Sequence, residues 1–248
     1  MRSYGPWRQT SYRYGFFDRH GGNGIAPYDS MNVSYGVGDA EETVSANRRR
    51  VEEISGFPVF LSAKQVHGNE IYCLTKPLTA SLEIEGVDAL ITDQDGVGLM
   101  IQQADCQAVL LFDSSKKIIA AIHCGWRGSV ANIVARVICR MKDGFGVAPV
   151  QLQALISPSL GPCCAEFINY QNELPAEFAP FMARPDHFDF WQLSKSQLIA
   201  AGVRETKISM AATCTCCSKD YFSYRRACHL SNGVTGRNCS IIGMENVD

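Results

Sequence analysis

The stretch from Gly98 to Gly128 constrains this chain more than any other. Two apolar runs of strand length, Ala108 to Phe112 and Ile118 to Ile122, are separated only by the turn-forming Asp113-Ser114-Ser115-Lys116 and one further lysine. Apolar runs this short, divided by a polar turn, predict adjacent antiparallel strands. In such a pair the residue that precedes the first strand lies near the residue that follows the second. Cys106 is therefore expected to face His123, with Gly125 and Gly128 just beyond. A thiol and an imidazole brought to one sheet edge read as a site rather than as packing.

Other segments supply the frame around that hairpin. Tyr12 to Phe17 alternates as a strand does, and Gly21-Gly22-Asn23-Gly24 follows as a loop. Glu41-Glu42 and Arg48-Arg49-Arg50 bracket a helix from Asp39 to Ile54, the acids near its start as the helix dipole prefers. Helical spacing puts Arg48 beside the Val44/Val51 stripe. Val59 to Leu61, Glu70 to Leu74, Asp88 to Thr92, Val150 to Ile156, Thr206 to Met210 and Ser240 to Ile242 read as strands. Past Gly128, Val130, Ile133, Val134, Val137, Ile138 and Met141 recur at helical spacing, and Gly144 and Gly146 stop the helix. Glu173 to Arg204 reads as helices interrupted by Arg184-Pro185-Asp186-His187. Neither an internal repeat nor a linker divides the chain, so one domain spanning residues 1–248 is expected.

Composition limits the partners. A net charge of -2 over 248 residues exerts no long-range pull on nucleic acid or an anionic membrane. No stretch approaches the roughly 20 apolar residues of a membrane helix, and the Arg- and Tyr-rich N-terminus lacks the apolar core of a signal peptide. A cytoplasmic protein is the expectation. Eleven cysteines, an odd number, do not suit a secreted disulfide framework. They cluster instead: Cys163-Cys164 are adjacent, and Cys214, Cys216 and Cys217 fall within four positions.

His67, Cys106 and His123 each fall at the end of a predicted strand. Two imidazoles and one thiolate suit zinc, and three protein ligands leave a fourth position open, as catalytic zinc requires. A metal-free Cys106/His123 dyad with an activated thiolate fits the same residues, and His67 separates the two readings. Cys214 and Cys217 form a C-x-x-C with Cys228-His229 downstream, compatible with a second, structural zinc. The zinc deaminase signature, the phosphate-binding P-loop and the dinucleotide G-x-G-x-x-G are all absent. Copper chemistry is disfavoured by a total of five histidines.

Several motifs occur in an order that resembles one family. They are Lys64-Gln65-Val66-His67-Gly68, Asp88 to Thr92, Ala104-Asp105-Cys106, His123-Cys124-Gly125-Trp126-Arg127-Gly128, Gly161-Pro162-Cys163-Cys164 with Glu166, Phe222-Ser223-Tyr224-Arg225-Arg226, and Gly236-Arg237. Together they resemble the YfiH-like proteins, also called laccase-domain or multicopper polyphenol oxidoreductase proteins. The resemblance implies an α+β fold: a mixed, largely antiparallel β-sandwich core flanked by helices. It implies a zinc-dependent purine nucleoside enzyme that phosphorolyses adenosine, inosine and methylthioadenosine and deaminates adenosine. A copper-dependent phenol oxidase is the older label of the family. The implied metal ligands are His67, Cys106 and His123. Asn32, Arg48 and Arg225 or Arg226 would bind phosphate or substrate, and Glu166 or Cys164 would protonate the amine that leaves in deamination. The chain also departs from the family pattern, with Gly36 where a histidine is usual, Ala165 between Cys164 and Glu166, and Gly243 where tryptophan is frequent.

Overall fold

The two apolar runs fold as the expected hairpin, and every residue of both strands is buried. Strands covered on both faces need no polar alternation, which explains their unbroken apolar sequence. The structure is a computed structural model describing residues 12–245, and the stretch before Tyr12 lies outside it. In chain order the elements are β1 (Tyr12–Phe17), α1 (Glu41–Ser55), β2 (Val59–Lys64), β3 (Ile71–Leu74), β4 (Leu82–Glu85), β5 (Ala89–Thr92) and β6 (Val97–Gln103). The hairpin β7 (Gln107–Asp113) and β8 (Ile118–Cys124) comes next, then α2 (Trp126–Val130), α3 (Ile133–Phe145), β9 (Gln153–Ile156) and α4 (Tyr170–Glu173). The chain continues through β10 (Met182–Arg184), β11 (His187–Phe188), α5 (Phe190–Ala200), β12 (Ile208–Met210), α6 (Tyr224–Leu230) and β13 (Asn238–Met244).

Two large mixed sheets result, a five-stranded one ordered β1-β13-β6-β2-β4 and a six-stranded one ordered β12-β9-β7-β8-β5-β3. Most strand pairings are antiparallel, while β2 with β4 and β6, β3 with β5, and β9 with β12 are parallel. The sheets pack face to face. Leu99, Ile101 and Ile242 of one meet Leu110, Phe112 and Ile119 of the other in a single buried cluster. Alternate residues serve the outer faces. Val109, Leu111, Ala120 and Ile122 lie under Val134, Val137, Ile138 and Met141 of α3, and Met100 and Ile241 lie under Val51 of α1. The α+β sandwich flanked by helices is thus realised.

Several segments differ from the sequence reading, among them residues 150–151 and 206–207, which belong to helical turns ahead of β9 and β12 rather than to strand. The helix after Gly128 forms in two pieces, because Asn132 takes a left-handed conformation (φ 49°) and caps α3 with its side chain on the Ala135 N–H. That helix also runs through Gly144 and ends at Gly146, which adopts the left-handed C-cap. The interruption expected at Arg184-Pro185-Asp186-His187 is a small hairpin that extends to Met182 and Phe188, its turn formed at Pro185-Asp186. Among the described residues no helix is long and apolar enough to cross a membrane.

Candidate metal centre and cavity

One end of the sandwich gathers the chemistry. The parallel strands β2 and β6 both finish there, β7 begins there and β8 ends there. Register pairs Ala108 with His123 and Gln107 with Cys124, so Cys106, one residue before β7, meets the His123 side chain. His67 arrives from the loop after β2. Donor atoms of His67, Cys106 and His123 all lie within 4.8 Å of one another. Cys106 Sγ stands 3.8 Å from His67 Nε2, and the two imidazole rings cross edge to face at 4.8 Å.

Asp88 fixes this trio. Its Oδ1 lies 2.7 Å from His123 Nδ1 and accepts the His67 N–H at 2.9 Å. Its Oδ2 accepts the N–H groups of Gly68 at 2.7 Å and Val66 at 3.2 Å. The His67 backbone has a positive φ of 60°, which this carboxylate holds in place. Burial would raise the Asp88 carboxyl, but the hydrogen bond and charge of His123, with the loop N–H groups, bring it below the usual range. With Nδ1–H donated to Asp88, His123 turns Nε2 toward Cys106, the arrangement by which a carboxylate orients a metal-bound histidine. Burial also opposes ionisation of Cys106 and His123, yet their mutual attraction dominates. It draws the thiol down to about 6 and, with Asp88, the imidazole up to about 9.

The donor set fits a metal ion. A Cβ on Gly125 would lie 3.0 Å from His67, 3.2 Å from Cys106 and 3.5 Å from His123. Glycine therefore keeps clear the point on which the three groups converge. Two imidazoles, one thiolate and a supporting carboxylate are compatible with a metal held by three protein ligands.

These residues floor a cavity of about 870 Å³. Trp126, Phe167 and Phe190 supply an apolar wall, with Phe167 and Phe190 centroids 5.2 Å apart. Lys64, Arg127, Arg225 and Arg237 supply positive charge, and Glu83, Glu85 and Asp105 negative charge. Arg237 closes the Gly236-Arg237 motif, and nothing in the local sequence assigns it a role. It lies deep in the wall, where burial lowers its guanidinium while the negative charges of Cys106 and Asp105 counter that shift. Asp88 was likewise read only as the start of a strand.

The remaining sequence candidates divide. Arg225 lines the cavity, its Nη1 on the Cys164 carbonyl and Nη2 on the Glu166 carbonyl, both at 2.9 Å. Arg226 is not among the lining residues, and its guanidinium is spent on the carbonyls of Thr215, Cys216, Ser218 and Tyr221. Arg48 sits behind the wall, bonded to Val33 O at 2.7 Å and Glu83 at 3.0 Å and stacked on Tyr35. Asn32 is fully buried and knits Ser34, Asp39 and the Arg237 N–H together. Glu166 is exposed outside the cavity lining, and Cys164 belongs to a second group of cysteines. Gly36 does line the cavity, where a Cβ would meet only Ser34 Oγ at 3.9 Å.

A two-sheet sandwich with two histidines and a cysteine converging beneath a cavity at one end defines the class of protein. The chain belongs to the multi-copper polyphenol oxidoreductase laccase family, which it matches over residues 13–245. The YfiH-like resemblance and the family agree. A Geobacillus stearothermophilus relative, named purine nucleoside phosphorylase YlmD, is 32% identical over 248 aligned residues, covering 92% of this chain and 89% of that protein. A Corynebacterium glutamicum relative, also named a purine nucleoside phosphorylase, is 30% identical and covers 95% of each chain. The crystal structure of YlmD from Geobacillus stearothermophilus superposes with a TM-score of 0.84 at 30% identity, covering 96% of this chain and 93% of that one.

Proposed function

We propose that this chain is a zinc-dependent purine nucleoside phosphorylase acting on adenosine, inosine or methylthioadenosine. The observation that carries this reading is the meeting, in one cavity, of a His67/Cys106/His123 donor set, an aromatic wall and the positive charge of Arg127, Arg225 and Arg237. The names of relatives near 30% identity support the purine nucleoside class. All eleven cysteines are free, which accords with a reducing cytoplasm.

His67, Cys106 and His123 would hold zinc, which when bound supplies Lewis acidity at the cavity floor. Trp126, Phe167 and Phe190 offer the flat purine an apolar face. Arg237 Nη1 donates to the Thr235 and Gly236 carbonyls, so Arg237 would meet phosphate through its remaining guanidinium donors, while Arg225 is engaged by the Cys164 and Glu166 carbonyls and Arg48 by Glu83 and Val33. In phosphorolysis a phosphate oxygen bonds to C1′ as the C1′–N9 bond breaks. The electron pair leaves with the purine, which gains the proton of hydrogen phosphate. Deamination would instead need a proton donor for the leaving amine. Glu166 and Cys164 both lie outside the cavity lining, so phosphorolysis is the reading we favour. The third donor, His67, favours the metal reading over a bare Cys106/His123 hydrolase.

The test incubates metal-analysed protein with each nucleoside, with and without phosphate, and follows free base and ribose 1-phosphate by chromatography. Phosphate-dependent release of both in equal amounts is expected, with loss of turnover and of the zinc held by His67, Cys106 and His123 in His123→Ala. Arg237→Met is expected to raise KM for phosphate about 10- to 100-fold while changing KM for nucleoside little. Inosine formed from adenosine without phosphate would assign deamination instead. A zinc-loaded protein that turns over none of the three nucleosides sinks the proposal.

A further inference from the structure

Four cysteines outside the cavity come together for a topological reason. Strands β9 and β12 are parallel neighbours, with Ile156 opposite Met210, so both chains leave the sheet in the same direction. Their pairing continues into the loops through a bridge between Ser159 and Cys214, made by the Ser159 N–H on Thr213 O and the Thr215 N–H on Ser159 O. The loop after β9 then carries Cys163 and Cys164 alongside the Cys214-x-x-Cys217 turn of the loop after β12.

The four sulfurs lie within 4.8 Å of one another, with Cys217 Sγ 3.5 Å from Cys163 Sγ and 3.4 Å from Cys164 Sγ. Four thiolates around one zinc ion at about 2.3 Å form a tetrahedron with edges of about 3.8 Å. The observed spacing therefore suits one ion, whereas a polynuclear iron–sulfur cluster sets its thiolates further apart. The Gly161 N–H donates to Cys214 Sγ at 3.3 Å, a contact that stabilises sulfur as thiolate. A Cβ on Gly161 would press on Cys214 Cβ at 3.0 Å and Trp191 at 2.9 Å, so glycine is what permits that approach. Cys228 and His229, paired with this C-x-x-C in the sequence reading, are not members of the group.

We infer that Cys163, Cys164, Cys214 and Cys217 form a second metal site, a closed tetrathiolate that takes one zinc ion and pins the β9 loop to the β12 loop. Four protein ligands leave no open position, so the role is structural. The pinned loops carry the cavity wall: Arg225 grips the carbonyls of Cys164 and Glu166, and Thr215 Oγ1 donates to Asp105, the neighbour of Cys106, at 2.7 Å. This inference is independent of the purine reading, because it concerns metal content and not turnover.

The test is metal titration of the full chain, purified under reducing conditions and stripped with chelator. Wild type is expected to bind about two equivalents of Zn²⁺. With Co²⁺ it should show intense thiolate charge-transfer bands and the d–d pattern of a tetrahedral tetrathiolate. His123→Ala is expected to keep that cobalt spectrum and about one equivalent. Cys163→Ser and Cys217→Ser should each lose the tetrathiolate spectrum and keep about one His123-dependent equivalent. If those variants do not fold, X-ray absorption on His123→Ala loaded with zinc decides, four sulfur neighbours at about 2.3 Å being expected. A stripped wild-type chain that binds one equivalent, all of it lost in His123→Ala, overturns the site. So does a disulfide among the four cysteines in reduced protein, or the colour of an iron–sulfur cluster.

Discussion

Asp88 is the residue on which the proposed metal centre turns, because one buried carboxylate orients two of the three candidate donors. It accepts the His67 N–H and holds His123 Nδ1, and it closes the loop between them through Val66 and Gly68. Asp88→Asn keeps the shape but turns an acceptor edge into a donor facing backbone N–H groups. Zinc affinity is expected to fall about 10- to 100-fold, measured by competition with a chromophoric chelator, while the circular dichroism stays unchanged. The Cys106/His123 pair makes a second expectation concrete. Without metal, between pH about 6 and about 9, Cys106 is thiolate and His123 imidazolium. Zinc needs both deprotonated, so its binding should release about one proton from this pair in that window. Below the window the pair releases about two, and above it none. Zinc calorimetry in buffers of different ionisation enthalpy counts these protons, and a release that is the same below pH about 6 as above pH about 9 would refute the assignment.

At the scale of elements, the missing tryptophan of β13 has a physical explanation. Gly243 pairs with Gly98 across β13 and β6, and Gly98 pairs with Phe60 of β2. The rings of Phe57 and Phe60 lie over these two glycines, packed edge to face at 6.4 Å, and a Cβ on either glycine would run into its ring. Gly243→Ala is expected to cost about 1–3 kcal/mol by overpacking. Combining it with Phe57→Leu should lose less than the sum of the two single losses, measured by urea denaturation, since the positions share one volume. Additive losses would show that ring and glycine do not compete. The same scale separates what the sequence disclosed from what it hid. The β7/β8 hairpin was legible because its partners are adjacent in the chain, and with it the meeting of Cys106 and His123. β4 was not, because Leu82-Glu83-Ile84-Glu85 is a half-exposed edge strand without a strong apolar run. Metal-donor chemistry marked His67, but Arg237, Phe167 and the four-cysteine group depend on contacts between distant loops, which periodicity does not record. Arg48 was legible as a polar residue beside an apolar stripe and Asn32 only through the family resemblance, yet nothing local shows that their hydrogen bonds are spent inside the wall.

At the scale of the molecule, the buried cluster between the two sheets contains none of the metal donors. The sandwich therefore has the means to fold before any ion binds, unlike a small domain whose only core is its metal site. Chelated protein is expected to keep its far-UV circular dichroism and a cooperative thermal transition. Adding zinc to about a hundredfold over Kd at the His67/Cys106/His123 site should add about 2.7 kcal/mol. For a chain of this size that raises Tm by about 5–10 °C. Leu110→Ala, at the centre of the cluster, provides the converse experiment. It is expected to cost about 2–5 kcal/mol and leave zinc stoichiometry unchanged, because Leu110 is fully buried and is not a metal donor. If chelation alone unfolds the chain, or if Leu110→Ala loses metal while still folded, stability and metal binding are one property. The core cluster and the donor group share no residue, so stability and metal binding are expected to respond separately.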